Sequence, residues 1–117
     1  AAMIETTVRD YLSEQLPVPV FLERPETPPE CYVLLEKLSA KEREGIGKAS
    51  FAMQSVSGSL YAAAQLSGMV RAAMAQAVVL PEISRASLDN EYNFTDPTTR
   101  TYRYQAVFEL TYYEGEI

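Results

Sequence analysis

The feature that most constrains this 117-residue chain is a pair of period-two runs in its last third. Tyr102, Tyr104, Ala106, Phe108, Leu110 and Tyr112 alternate with Arg103, Gln105, Val107, Glu109 and Thr111. Successive side chains of a strand point to opposite faces, so this spacing predicts a half-buried β-strand over 102–113. Ala86, Leu88, Asn90, Tyr92 and Phe94 alternate with Ser87, Asp89, Glu91 and Asn93 in the same manner. Residues 95–100, with Asp96-Pro97 inside them, supply a turn between the two runs. The chain is therefore expected to end in a long β-hairpin. Twelve extended residues span about 40 Å, whereas a compact chain of this length has a diameter of about 35 Å. The hairpin tip, near Tyr92, Phe94, Tyr102 and Tyr104, is expected to outrun the core that should cover it.

Upstream, Ile4, Val8, Tyr11, Leu12 and Gln15 fall at helical spacing with Glu5, Arg9, Asp10 and Glu14 on the other side, which predicts an amphipathic helix over 4–15 stopped by Pro17. Residues 18–22 are a short β-branched and aromatic run suited to a strand. Residues 23–30 contain Pro25, Pro28 and Pro29, cannot donate a full ladder of hydrogen bonds, and read as a loop or edge crossing. Residues 31–38 and 49–57 are expected to pair as a hairpin around the charged connection 41–48, whose Gly45 and Gly47 would supply positive φ angles. Leu66, Met69, Val70, Ala73, Met74 and Ala77 then share one helical face, extended by Ala62 and Ala63. Gly58 and Ser59 are the candidate N-caps of this second helix, which should run to about Val78 and be closed by Pro81. The order α-β-β-β-α-β-β implies an α+β fold, with a mainly antiparallel sheet packed against two helices. Residues 3–117 read as a single domain, and Ala1 and Ala2 ahead of Met3 as an expression remnant.

Composition narrows the chemistry. Apolar residues make up 47% of the chain and charged residues 22%, enough burial to offset the ordering entropy of one domain. Sixteen acidic residues against ten basic ones give a net charge of −6, and the resulting field repels phosphate backbones, which disfavours specific nucleic-acid binding. No segment reads as an export signal or as a membrane span: the weakly charged stretch 59–80 carries Gln65, Arg71 and Gln76 along its length. The single Cys31 rules out an intramolecular disulfide, and the lack of histidine removes the commonest metal ligand and imidazole-based catalysis. No cofactor is expected. Asp89 with Glu91, and Glu42 with Glu44, sit two apart, the usual pattern of a solvated strand face rather than of a metal or acid-base pair. Gly45-Ile46-Gly47-Lys48 lacks the spacing of a phosphate-cradling loop. An enzymatic role is not expected.

What the residues do offer is unsheltered surface. Tyr92, Phe94, Tyr102 and Tyr104 are each worth about 2 kcal/mol when buried, and a neighbouring subunit would cover them at the hairpin tip. The second helix carries Arg71 as its one formal charge and fills its outer face with Ala64, Ser67, Ala72 and Ala75, small residues that let another backbone approach. These five residues, Arg71, Tyr92, Phe94, Tyr102 and Tyr104, form the expected contact surface for a second subunit or partner.

The passage Ser50-Phe51-Ala52-Met53-Gln54-Ser55-Val56-Ser57-Gly58-Ser59-Leu60-Tyr61-Ala62-Ala63-Ala64, a strand running into an alanine-rich helix, resembles tail terminator and minor tail-component proteins of long-tailed phages and prophages. The ending Tyr102-Arg103-Tyr104-Gln105-Ala106-Val107-Phe108-Glu109-Leu110-Thr111-Tyr112-Tyr113 looks like their final strand. The likeness covers roughly Val8 to Tyr113 and rests on element order and hydrophobic wording. It implies a small α/β fold that assembles as a homo-hexameric ring, caps the tail tube protein and presents a surface to the head connector protein. It also implies assembly in the host cytoplasm and a final place in the virion tail, with no catalytic residues. A head-tail connector or tail-assembly protein is the neighbouring alternative, and a small-ligand-binding α+β domain is the alternative from another class.

Overall fold

The computed structural model describes residues 3–113. Ala1, Ala2 and the end of the expected domain, residues 114–117, lie outside the described residues. The elements follow as α1 (Ile4–Gln15), β1 (Val20–Phe21), β2 (Tyr32–Arg43), β3 (Ile46–Ser57), α2 (Leu60–Ala75), a 3-10 turn (Ala77–Val79), β4 (Ile83–Asn93) and β5 (Tyr102–Tyr113). The fold is α+β in the expected order. The five strands make one sheet in the order β1-β2-β3-β5-β4, with β1 parallel to β2 and all other neighbours antiparallel.

Each helix forms where its apolar spacing and its caps agree. Ile4, Val8, Tyr11 and Leu12 are the buried stripe of α1, and Pro17 follows its last turn. Ser59 caps α2 by accepting a bond from the backbone N–H of Ala62 at 3.1 Å. Gly58 only precedes it. The helix stops at Ala75, short of Val78, because the Gln76 N–H bonds to the Ala73 carbonyl and tightens the chain into the 3-10 turn. The buried stripe of α2 is Ala63, Leu66, Ser67, Val70 and Met74. Met69 is 43% exposed, since at 100° per residue it lies about 120° from the centre of that stripe. No helix of the described residues is long and apolar enough to cross a membrane.

Both helices lie on one face of the sheet. Val33, Leu35, Ala49, Phe51, Met53, Ala106, Phe108, Leu110 and Tyr112 from the sheet meet Val8, Leu12, Leu66, Val70 and Met74 from the helices in one core. Tyr11 ties the two helices together through its hydroxyl, which donates to the Ala73 carbonyl at 2.7 Å, and burial raises its pKa above the ordinary tyrosine value.

The sheet departs from the sequence reading in several places. First, residues 41–48 are not a connection: β2 and β3 run through them to a two-residue turn at Glu44 (φ 53°) and Gly45 (φ 81°), the paired left-handed conformation of a type I′ hairpin. The β2 strand of this hairpin arm is exposed from Glu36 to Arg43. Second, Gly47 needs no positive φ. Its missing side chain makes room for a ring, because a Cβ there would come within 2.4 Å of Tyr112 Cζ. Third, β4 begins at Ile83 and carries two bulges, between Ile83 and Arg85 and between Leu88 and Asn90. Each extra residue shifts the alternation by one. Ala86 and Leu88, opposite Leu110 and Phe108, thus share the helix-side face, whereas Asn90 and Tyr92, opposite Val107 and Gln105, share the other. Residues 18–22 give only the two-residue β1, and β2 carries a bulge of its own at Leu38.

Gly47→Ala is expected to lower the unfolding free energy by about 2 kcal/mol through overpacking against Tyr112, read by urea denaturation. The loss should shrink in a Tyr112→Leu background, and equal losses in both backgrounds would contradict the ring-over-glycine packing. Glu44→Asn should instead stabilise the chain by up to about 1 kcal/mol, as asparagine adopts positive φ more readily than glutamate.

Candidate assembly surface

The sheet face turned away from the helices carries Leu34, Ala52, Gln54, Tyr92, Arg103, Gln105 and Val107, as the strand registers require. Residues 22–31 and 95–101 reach this face at one end, where Arg24, Asp96, Thr99 and Thr101 line a cleft with Tyr32, Leu34, Gln54 and Arg103. The other end, toward the β2–β3 arm, has no such border among the described residues and shows Ile46 and Tyr113 45% and 49% exposed.

Tyr92 and Phe94 come together at the first of these ends, beside residues 95–101. Their rings meet edge to face at 6.0 Å, the Arg103 guanidinium stands 5.1 Å over the Phe94 ring, and the two aromatics remain 37% and 40% exposed. A polar chain crosses three strands beneath them. The Gln105 amide donates to the Tyr92 hydroxyl, Gln54 donates to Gln105 Oε1 at 3.1 Å, and Arg103 reaches Gln54 Oε1 at 3.5 Å. Linked amides hold one another only in matched orientations, so this network positions the Tyr92 hydroxyl. Asp96, 4.0 Å from Arg103, also accepts the Thr98 N–H at 2.9 Å to close the β4–β5 turn. The Thr98 bond, helped by Thr99 and Arg103 and opposed by slight desolvation, holds the Asp96 carboxyl below its ordinary value.

The other expected residues lie elsewhere. Tyr102 and Tyr104 oppose Ser57 and Ser55 on the helix-side face and are half-buried, because β5 is an interior strand between β3 and β4. Arg71 sits on that side as well, with its Nε donating to Glu91 Oε2 at 3.0 Å, and Ser67 donates to the same oxygen at 2.5 Å. Glu91 is thereby committed to α2, while Asp89 is the extra residue of the bulge, so the two carboxylates do not act as a pair. Among the described residues, no group of three or more His, Cys, Asp or Glu side chains is placed to hold a metal ion. Arg103, Gln105 and Gln54 were not legible as parts of the surface. The signal for Arg103 was its place opposite the Phe94 segment across a short turn, where the Phe94 N–H bonds to its carbonyl at 2.8 Å.

No family model and no curated protein matches this sequence. The functional reading therefore stands on the surface itself and on the residue likeness described above.

The depressed Asp96 pKa gives a sign to one test. The turn's electrostatic contribution is present above the unfolded carboxyl pKa of about 3.9 and is lost as pH falls through the lower folded value. The stability gap between the unaltered chain and Asp96→Ala should be constant above about pH 5 and narrow at lower pH, as followed by denaturation at each pH. A gap that widens on acidification would contradict this assignment.

Proposed function

We propose that this chain is a ring-forming structural protein of phage or prophage tails, a tail terminator that closes the growing tube and offers a surface to the head connector. The observation that carries this reading is the open sheet face. A domain stabilises its sheet by layering both faces or by making the bare face polar. Here the helices cover one face, and the bare face still presents Tyr92, Phe94, Ile46 and Tyr113 along a molecule 45 Å in its longest dimension. Apolar and aromatic groups set among polar ones on an exposed face are the composition of a protein contact surface.

Contact between identical copies that joins this face to a different patch of the next copy is heterologous. Such heterologous contacts generate rings when the rotation closes. The strand–helix wording of residues 50–64 and the final strand, which resemble the terminator family, favour closure into a hexamer.

Two measurements test the reading. Native mass spectrometry should find a hexamer, or a monomer that becomes hexameric when tail tubes are added; a stable dimer indifferent to tubes would sink it. Electron microscopy of particles made without the protein should show tails of uncontrolled length. Finished tails unattached to heads would move the assignment to the connector.

A further inference from the structure

On the open face near the arm, cations from separate strands are brought side by side. Lys41 of β2 pairs with Lys48 of β3, Lys48 with Thr111 of β5, and Thr111 with Arg85 of β4. Residues directly opposite in antiparallel strands share a face, so Lys41, Lys48 and Arg85 form one row. The adjoining row toward the arm tip is Arg43, Ile46 and Tyr113. All four cations are exposed, and none makes an ion pair or side-chain hydrogen bond among the described residues. Glu109 lies one row further in, between Ser50 and Ser87. Like charges directly opposite in a sheet are destabilising, and Lys41 against Lys48 is such a pair, retained in a chain whose net charge is −6.

The same chain carries the complement. Residues 23–30 read Glu-Arg-Pro-Glu-Thr-Pro-Pro-Glu, have neither helix nor strand, and expose Glu23, Glu26 and Glu30 against one cation, Arg24. They lie at the opposite end of the sheet: Glu30 reaches Gly58, just beyond the end of β3 remote from the arm. A proline-rich segment has little backbone freedom to lose when it docks, and its three carboxylates match the cation rows in sign. An exposed Tyr and Ile rimmed by Lys and Arg suits such a protein segment better than it suits a phosphate backbone.

We infer that the Lys41–Lys48–Arg85 row, with Arg43, Ile46 and Tyr113 beside it, docks residues 23–30 of a second copy of this chain. This rests on the ring reading for closure, since the two patches sit at opposite ends and pair head to tail. It names what that reading leaves open, the residues that join neighbours and the salt-sensitive force between them.

The test is light scattering of the full chain at low and high sodium chloride, with two triple reversals, K41E/K48E/R85E and E23K/E26K/E30K. Each reversal should weaken association at least about tenfold at low salt, and an equimolar mixture of the two should recover it. All six side chains are exposed, so both variants should keep the parent melting transition. Association that ignores salt and both reversals, or a chain monomeric under every condition, overturns the inference. So does a duplex oligonucleotide that binds the unaltered chain and not K41E/K48E/R85E, if E23K/E26K/E30K still associates normally. The ring reading is judged separately: tubes capped normally by K41E/K48E/R85E would refute this docking and leave the ring standing. Failure of the unaltered protein to cap tubes would sink the ring alone, because the charge-swap rescue is read without tubes.

Discussion

The pairing of β3 with β5 is the interaction on which the molecule depends. Every residue from Ile46 to Ser57 is registered with one from Tyr113 back to Tyr102, without a bulge, and this joint ties the N-terminal α1-β1-β2-β3 half to the C-terminal β4-β5 hairpin. Phe51 opposite Phe108, Ala49 opposite Leu110 and Met53 opposite Ala106 lie under the helices and supply most of the sheet's share of the core. Gly47 lets the joint continue past the core, because the Tyr112 ring occupies the space where any other residue would carry a side chain. The straight register also determines what the bare face displays: Gln54 and Gln105 meet directly, and the cation row crosses the strands without a step between β3 and β5.

Much of this was legible because burial on one side writes a period into the sequence. The alternation of residues 102–113 marked β5, and the 3.6 spacing marked α1 and the core stripe of α2. The outer half of the β2–β3 hairpin was missed for the converse reason. Lys41, Glu42, Arg43, Glu44 and Lys48 are all exposed, so no apolar period separates them from a loop. The Glu44-Gly45 turn was hidden as well, since glutamate seldom adopts positive φ and the two nearby glycines suggested a wider connection. The β4 bulges at Ser84 and Asp89 leave no compositional mark, and they decide which aromatic faces which way.

That phase shift explains why the expected contact residues divide between two faces. Read as one unbroken alternation, Leu88 and Tyr92 would share a side; the bulge at Asp89 sends Leu88 toward the helices and Tyr92, with Phe94, to the open face. Tyr102 and Tyr104 follow β5 to the helix side, where Arg71 and Glu91 also meet. Aromatic content identified the hairpin as a surface of interest, whereas strand phase, which depends on long-range pairing, determined its geometry.

The same bulges limit how copies of the chain can join. An open sheet edge invites another strand, and natural sheets blunt their edges with bulges and charge. β2 beyond β1 carries the Leu38 bulge together with Glu36, Lys37, Lys41, Glu42 and Arg43, and β4 carries two bulges with Arg85, Asp89 and Glu91. Neither edge is a flat template for strand addition. Blunted edges leave the bare face as the surface on which side chains rather than backbone groups would decide a partner. With a net charge of −6, copies repel one another in most orientations, and the docking proposed above would offset that repulsion by bringing the cation rows of one copy to the acidic segment of the next. In the proposed docking, sheet edges that refuse strand pairing and a face that accepts one polarity would select one approach of a second copy over indiscriminate edge-to-edge aggregation.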